Sequence, residues 1–254
     1  MSDYLHGVEI LEGDQSVILA AGDTAVMALV GTAPQGAVGE VKLITSAQQA
    51  AAEYGKEVAG FTIPSALATI FGKVSAKVLV INVLAKDKAA ALLEPDGKMT
   101  RTDDGGPATH IYKETLPEAV DYTIDLVAGL NKLLAVEDTL NMKPNIILAP
   151  GYSHLEAVMN KMLAVAQKLE GFAVIDIVAA NTQAALEARA GGVFNITNEE
   201  GVLCFPQVYR YNENEGTNDL IGLSVYWAIC KAIRDGQTGY WVSPSNTELD
   251  GIVG

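Results

Sequence analysis

Five short apolar runs, each continuous rather than alternating with polar residues, constrain the fold of this sequence more than any other feature. A strand with one face in solvent alternates apolar and polar residues, whereas a strand buried on both faces is apolar throughout. The runs therefore predict a buried and mainly parallel sheet. They lie at Ala25–Val30, Val78–Val83, Ile146–Ala149, Phe172–Val178 and Val202–Phe205.

Segments with the apolar spacing of helices separate these runs. Ser46 and Gln49 form a capping-box pattern, and Gly55 is placed to end that first helix. Ser153 is predicted to cap the clearest helix, which Gly171 ends. Strands that alternate with helices indicate βαβ units, so the predicted fold class is α/β, with a mainly parallel sheet and helices on both faces. The other helices are predicted near 63–72, 129–140, 182–190 and 218–234.

Two regions break this alternation. Residues 86–126 contain turn signals at 95–97 and 103–106, and short runs such as 121–126 are typical of β segments, so a small β-rich insertion is predicted there. Residues 1–20 are extended in character and predict an N-terminal arm. The α/β core domain then comprises residues 21–85 and 127–254.

The charge of the chain excludes some classes of partner. The 254 residues carry a formal net charge of −14, which argues against binding to nucleic acid or to an anionic membrane surface. Cys204 and Cys230 both lie in apolar runs and are predicted to be buried free thiols. The start at Met1 lacks the pattern of a signal peptide, and the apolar stretch from Val17 to Val30 is too short to cross a bilayer, so synthesis in the cytoplasm is expected.

A nucleotide-binding site is one alternative for an α/β sheet. The segment from Gly31 to Gly36 follows the first long strand, where a phosphate-binding loop would lie. Such a loop ends in Gly-Lys-Ser/Thr, because the lysine reaches the phosphates and the hydroxyl reaches Mg²⁺. Here Gly36 is followed by Ala37 and Val38, which favours a simple exit from the strand.

A hydrolase of the α/β class is the second alternative, because Gly151-Tyr152-Ser153-His154 stands between a strand and a helix, as a nucleophile elbow does. Leu155 replaces the second glycine of that motif. The histidines are His6, His110 and His154, and none follows Ser153 at a distance that would complete a triad. A capping role for Ser153 is favoured over a nucleophilic one.

No cofactor or metal site is predicted. The three histidines share no ligand spacing, and the acidic stretches at 103–104, 199–200 and 212–216 lack the order of a calcium loop. Asp121 and Asp125 alone are a poor catalytic pair. No catalytic residue is therefore assigned, and a structural or interaction protein is favoured over an enzyme.

Three segments resemble phage contractile-tail sheath proteins. The opening 2–10, followed by 25–33 with Gly31-Thr-Ala, is similar to the start of those proteins. The segment 121–125, Asp-Tyr-Thr-Ile-Asp, resembles the one that closes their small β insertion. The apolar helix containing Gly222 and the pattern after it resemble their signature, in places filled by Arg234, Gly239, Trp241, Pro244 and Asn246.

The resemblance implies a structural subunit that assembles with copies of itself as hexameric rings in a helical sheath. The resemblance also implies that this subunit has tail tube and baseplate proteins as partners. It implies a location in the virion tail, which is assembled in the host cytoplasm. The resemblance further implies that the small β-rich insertion lies on the outer surface of the sheath. Sheath proteins continue beyond the Pro-x-Asn segment into a tube-facing domain, so the resemblance also implies that this C-terminal part is missing here.

The arm is expected to join subunits by adding a strand to a neighbour's sheet. Val8 and Ile10 would lie on one face of that strand and Leu11 on the other, with Leu5 also in contact. Residues 13–22 would act as the hinge. The alternatives are that the segment frays or pairs with the sheet edge of its own domain.

Overall fold

The fold alternates strands and helices along most of the chain. The computed structural model describes residues 19–20, 25–58, 60–84, 122–212, 216–248 and 251–253. The strands are β1 Leu19–Ala20, β2 Val26–Gly31, β3 Val41–Ile44, β4 Val74–Ser75, β5 Lys77–Asn82, β6 Ile146–Leu148, β7 Phe172–Asp176, β8 Gly201–Cys204, β9 Val208–Asn212 and β10 Thr217–Ile221. The helices are α1 Ala47–Tyr54, α2 Thr62–Phe71, α3 Tyr122–Lys132, α4 Val136–Leu140, α5 Glu156–Leu169, α6 Thr182–Gly191 and α7 Leu223–Gln237.

Six strands form the central sheet in the order β3-β5-β2-β6-β7-β8. The pairs from β5 to β8 are parallel, and only β3 runs antiparallel to its neighbour β5. The prediction of a mainly parallel sheet is therefore confirmed. Two small sheets accompany it within the described residues: the parallel pair β1–β4 and the antiparallel hairpin β9–β10.

Successive residues of the central strands belong to two different apolar clusters. In β2, Ala28 and Val30 join one cluster, whereas Met27 and Leu29 join the other, because side chains of a strand alternate between its two faces. The first cluster includes residues of α3 and α5, and the second includes residues of α2 and α7. Every residue of β2 is buried, which accounts for the continuous apolar run in the sequence.

The local signals that begin and end α1 and α2 act as predicted. The Ser46 side chain accepts a hydrogen bond from the Gln49 backbone N–H, and Gly55 follows the last residue of α1. The Gln49 side chain accepts a hydrogen bond from the backbone N–H of Thr45, the residue before the capping serine. Helix α2 begins at Thr62 and is followed by Gly72, as the pattern indicates.

The prediction of a β segment at 121–126 is wrong from Tyr122 onward. Helix α3 begins there, seven residues before the predicted start of a helix at 129. Leu126, Leu130 and Leu133 are all fully buried and follow one another at helical spacing, so packing of this stripe on the sheet favours the helix. The rest of the predicted insertion, 86–121, lies outside the described residues.

The prediction that the last helix begins at 218 is also wrong. Residues 217–221 form β10, which pairs with β9 in a hairpin that places Ile221 opposite Val208. The apolar residues Leu220 and Ile221 are followed directly by an apolar helix. The sequence pattern therefore does not distinguish the strand from the helix. Gly222 is extended, and α7 begins at Leu223.

Both cysteines are buried and free, as predicted. Burial raises the pKa of the Cys204 thiol above its ordinary value, and it raises the pKa of Cys230 to about 11. None of the helices in the described part of the chain is long and apolar enough to cross a bilayer.

Candidate functional site

The exit from β2, where a phosphate loop was considered, is occupied by a side chain from β5, the neighbouring strand in the sheet. The fully buried Asn82 Oδ1 accepts hydrogen bonds from the backbone N–H groups of Ala33 (3.1 Å) and Leu84 (3.0 Å). Its Nδ2 donates to the Leu84 carbonyl at 3.0 Å. The amide therefore satisfies backbone groups that a ligand would otherwise contact, which supports the interpretation of a strand exit.

The same exit is joined to the start of α2. The Thr32 N–H donates to Thr62 Oγ1 at 3.1 Å, and the Ile63 N–H donates to the Thr32 carbonyl at 2.9 Å. Thr32 Oγ1 also lies 3.3 Å from the Tyr152 hydroxyl, which belongs to the turn after β6. These contacts hold three segments together at the carboxyl edge of the sheet.

Ser153 neither caps a helix nor lies free in a cleft. The prediction of a capping role is wrong, because α5 begins at Glu156 and its N-terminal flanking residue is Leu155. A turn comes first, in which the Ser153 N–H donates to the Ala149 carbonyl at 2.8 Å. The buried Ser153 Oγ accepts a hydrogen bond from the Asp176 backbone N–H at 3.0 Å, so this hydroxyl connects the turn to β7.

Asp176, the last residue of β7, connects the strand to the start of α7. Its Oδ1 accepts from the Ser224 N–H at 2.8 Å and its Oδ2 from the Ser224 hydroxyl at 2.6 Å. The carboxylate thus caps a helix from a distant strand, next to the positive end of the helix dipole. Burial raises the pKa of Asp176 to about 6, against the opposing effect of both Ser224 hydrogen bonds.

Gly222 makes this cap possible because it lets the chain pass close to the carboxylate. A Cβ at position 222 would lie 2.1 Å from Asp176 Oδ2. Any larger residue would therefore push α7 away from β7.

A cavity of about 360 Å³ opens beside these groups, between the start of α2, the turn after β6 and the start of α7. A concave pocket at this edge is what the hydrolase and nucleotide alternatives predicted. Ser153 does not line it, although His154 does, and burial lowers the pKa of that imidazole. Its walls include Phe61, Ile221, Val225, Glu57, His154 and Asp219.

One ion pair attaches the β9–β10 hairpin next to this cavity, and one hydrogen bond joins the two strands of the hairpin. Arg210 of β9 forms an ion pair with Glu57, whose side chain is only 7% exposed. Asp219 of β10 accepts a hydrogen bond from Asn212 Nδ2 at 2.7 Å. Because these carboxylates are engaged with protein groups, their main role here is to fix the hairpin. Among the described residues no group of three His, Cys, Asp or Glu side chains is placed to hold a metal ion.

The segment after α7 contains the signature positions, and backbone geometry accounts for two of them. Gly239 has a φ of +120°, and the Trp241 ring lies against its backbone, leaving no space for a Cβ. Asn246 has a φ of +59°, a left-handed conformation that asparagine tolerates better than most residues. The Pro244 carbonyl accepts from the Thr247 hydroxyl at 2.7 Å, and Arg234 donates to the Ser245 carbonyl at 3.4 Å.

Comparison with known proteins identifies the family. Residues 24–83 match the family described as tail sheath protein Gp18 domain III, N-terminal region. The whole chain aligns with the tail sheath protein of Burkholderia phage BcepMu at 30% identity and covers 66% of that protein. This chain belongs to the tail sheath protein family. The resemblance predicted from the sequence is thereby confirmed.

Other similarities agree with this assignment. The sheath chain is 24% identical to the tail sheath protein of Escherichia phage P2 and spans 60% of its length. It covers 58% of a chain in the contracted helical sheath of the anti-feeding prophage, with a TM-score of 0.55 and 18% identity. For the contracted baseplate of the same particle the TM-score is 0.57 at 15% identity. The names of these relatives describe structural proteins, not enzymes.

The remaining predicted site residues of this chain lie in its N-terminal arm. Leu5, Val8, Ile10 and Leu11 lie outside the described residues. The last two residues of the predicted arm, Leu19 and Ala20, pair with Val74 and Ser75 of the same chain.

Sequence reasoning missed a buried ion pair that fixes the segment after α7. Lys231 Nζ contacts the Asp235 carboxylate one helical turn away, and both side chains are almost completely buried. Lys231 also donates to the Tyr240 carbonyl at 2.7 Å and lies 5.7 Å from the centre of the Phe172 ring. The i, i+4 spacing of opposite charges within an apolar helix was the available signal.

Proposed function

We propose that this chain is a structural subunit of a contractile tail sheath, which polymerises around a tail tube and shortens to drive injection. The observation that carries the proposal is the alignment of the entire chain with a phage tail sheath protein. The similarity of its fold to a contracted sheath chain is a second support. In this proposal six subunits form each ring, baseplate proteins are further partners, and assembly takes place in the host cytoplasm.

The same proposal includes a fold in which helices cover both faces of the central sheet, leaving its edges as places for added strands. Within the described residues β8 pairs with β7 alone, and β3 pairs with β5 alone. The outer backbone groups of such edge strands are available for pairing with another chain. The part of the predicted insertion before α3, residues 86–121, is proposed to lie on the outside of the sheath.

The N-terminal arm is proposed to use such an edge on a neighbouring subunit, with Leu5, Val8, Ile10 and Leu11 as contacts. About five ladder hydrogen bonds at about 1 kcal/mol each and two apolar anchors would form a tether between copies. Main-chain pairing survives a rigid-body movement of the subunits if the flanking linker bends. The energy for contraction then resides in two packings of the same subunits and requires no bound nucleotide.

The test is tube formation by the full-length gene product carrying arm substitutions. Val8→Asp with Ile10→Asp places two charges on the face proposed to contact the neighbour and should abolish tubes in electron micrographs. Glu9→Lys changes the charge of a residue in the same segment that is not among the proposed contacts, and it is the matched control. Normal tubes that still contract after deletion of residues 1–12 would refute the role of the arm.

A further inference from the structure

The chain after α7 turns back and is bound to that helix by hydrogen bonds. The described residues of this return segment are 238–248 and 251–253. The Lys231 ammonium donates to the Tyr240 carbonyl at 2.7 Å, and the Arg234 guanidinium donates to the Ser245 carbonyl at 3.4 Å. Because these side chains of α7 bind backbone carbonyls, they fix the path of the return segment itself.

The far end of the return segment reaches the start of α7. There the Tyr226 hydroxyl donates to the Gly251 carbonyl at 3.5 Å. The next residue, Ile252, is half-buried and packs against the apolar cluster that includes residues of α2 and α7. The Val253 N–H then donates to the Tyr209 carbonyl of β9 at 2.9 Å. The return segment thus contacts α7 near both of its ends and also binds the β9–β10 hairpin.

The bond to Tyr209 uses the outer edge of the hairpin. At the hairpin turn, the Gly216 N–H donates to the Asn212 carbonyl, so the backbone groups of Asn212 face β10. In an antiparallel pair, the backbone groups of successive residues point to alternate edges of the strand. Those of Tyr209, three residues earlier, therefore face away from β10. Val253 adds a bond on that side without disturbing the pairing of β9 with β10.

The hairpin needs such support to keep its position. Within the described residues it pairs with no strand of the central sheet, and a two-stranded hairpin alone is only marginally stable in water. Val208 and Ile221 at its base are buried, and Arg210 forms the ion pair with Glu57. The hairpin also forms one wall of the cavity beside His154. The position of that wall therefore depends on the contacts that hold the hairpin.

We propose that the return segment is a latch that couples the position of the hairpin, and with it one wall of this cavity, to the end of α7. Lys231 is a positioning residue in this device, because it holds the Tyr240 carbonyl from which the segment returns to β9. Coupling between two sites is reciprocal, so loosening either end of the latch should loosen the other. The latch lies within one chain, and it does not depend on the proposed function.

The first experiment breaks the latch at the hairpin. Val253→Pro removes the N–H that binds the Tyr209 carbonyl, whereas Val253→Ala keeps it and is the matched control. Amide hydrogen exchange, measured by NMR, should become at least about tenfold faster at Arg210 in the hairpin. It should rise similarly at Val242 near the other end of the latch, where this N–H donates to the Gly239 carbonyl. Neither amide should change in Val253→Ala.

The second experiment breaks the latch at the end of α7. Lys231→Met combined with Asp235→Leu removes the ammonium that binds the return segment, and it leaves neither charge of the pair buried. Exchange of the Val253 amide should then become at least about tenfold faster. The control is Lys143→Met with Glu170→Gln, which removes an exposed ion pair elsewhere and should leave that amide unchanged.

Every change is measured relative to the Leu29 amide in β2, so that a general loss of stability does not count as release of the latch. Circular dichroism shows whether each variant is folded. Equal exchange of the Val242 amide in Val253→Pro and Val253→Ala would overturn the proposal. So would an unchanged Val253 amide in the folded double variant at Lys231 and Asp235. If that double variant does not fold, the comparison of the two Val253 variants decides alone.

Discussion

The two ends of α7 differ in what their polar and aromatic groups do. At its start, the carboxyl edge of the sheet is closed by buried hydrogen bonds among Ser153, Asp176 and Ser224. Beyond its end, Lys231 fixes a segment that leaves Tyr240 and Trp241 exposed. The edge that resembles an enzyme site is thus held by structural contacts, whereas at the opposite end a buried ion pair fixes a segment whose aromatic rings are exposed.

The largest expected effect comes from breaking the ion pair that fixes the end of α7. Lys231→Met leaves the Asp235 carboxylate buried without its counter-charge, and we expect a loss of about 3–5 kcal/mol in the free energy of unfolding. Urea denaturation measures it. Lys231→Met combined with Asp235→Leu should recover much of the loss, and a double variant as unstable as the single one would contradict this explanation.

At the start of α7, Asp176→Asn should stabilise the protein at neutral pH. The pKa of Asp176 is about 6 in the folded chain and 3.8 ordinarily, so the folded state gains stability on protonation and loses it as pH rises through 6. The shift corresponds to about 3 kcal/mol. We expect a gain approaching that value at pH 7.5 and almost none at pH 4, by urea denaturation at both. An equal gain in stability at pH 7.5 and pH 4 would show that the ionisation of Asp176 does not cause the gain.

Ser153→Ala separates a structural hydroxyl from a catalytic one. The buried Asp176 N–H loses its acceptor, so we expect the free energy of unfolding to fall by about 1–2 kcal/mol. Ser243→Ala, on the exposed segment, is the control and should change little. Ester turnover by the parent protein that Ser153→Ala abolishes would support the hydrolase alternative instead.

The smallest effect on stability is expected for Trp241→Ala. An exposed side chain contributes little to folding, so we expect a change within about 0.5 kcal/mol, measured by thermal unfolding. A loss of several kcal/mol would show that the aromatic pair supports the fold of its own chain, and the contrast between the two ends of α7 would then fail.

The central strands could be predicted because every residue of a strand that is buried on both faces is apolar, as in Val26–Val30. The hairpin could not, because Leu220 and Ile221 run into an apolar helix. The contacts of Asp176 were also beyond reach, since Ser224 lies 48 residues away and only the fold brings them together. Ser153 has the sequence pattern of a helix cap, but its hydroxyl accepts a hydrogen bond from the Asp176 N–H of β7 instead of capping α5.

Cryo-electron microscopy of the unmodified full-length gene product at high concentration tests the central claim most directly. If the protein is built to join copies of itself, the micrographs will contain hollow, striated tubes of stacked rings, and the subunit fold in the map will match the one described above. Uniform single particles at every concentration, with no ring or tube, would contradict the account.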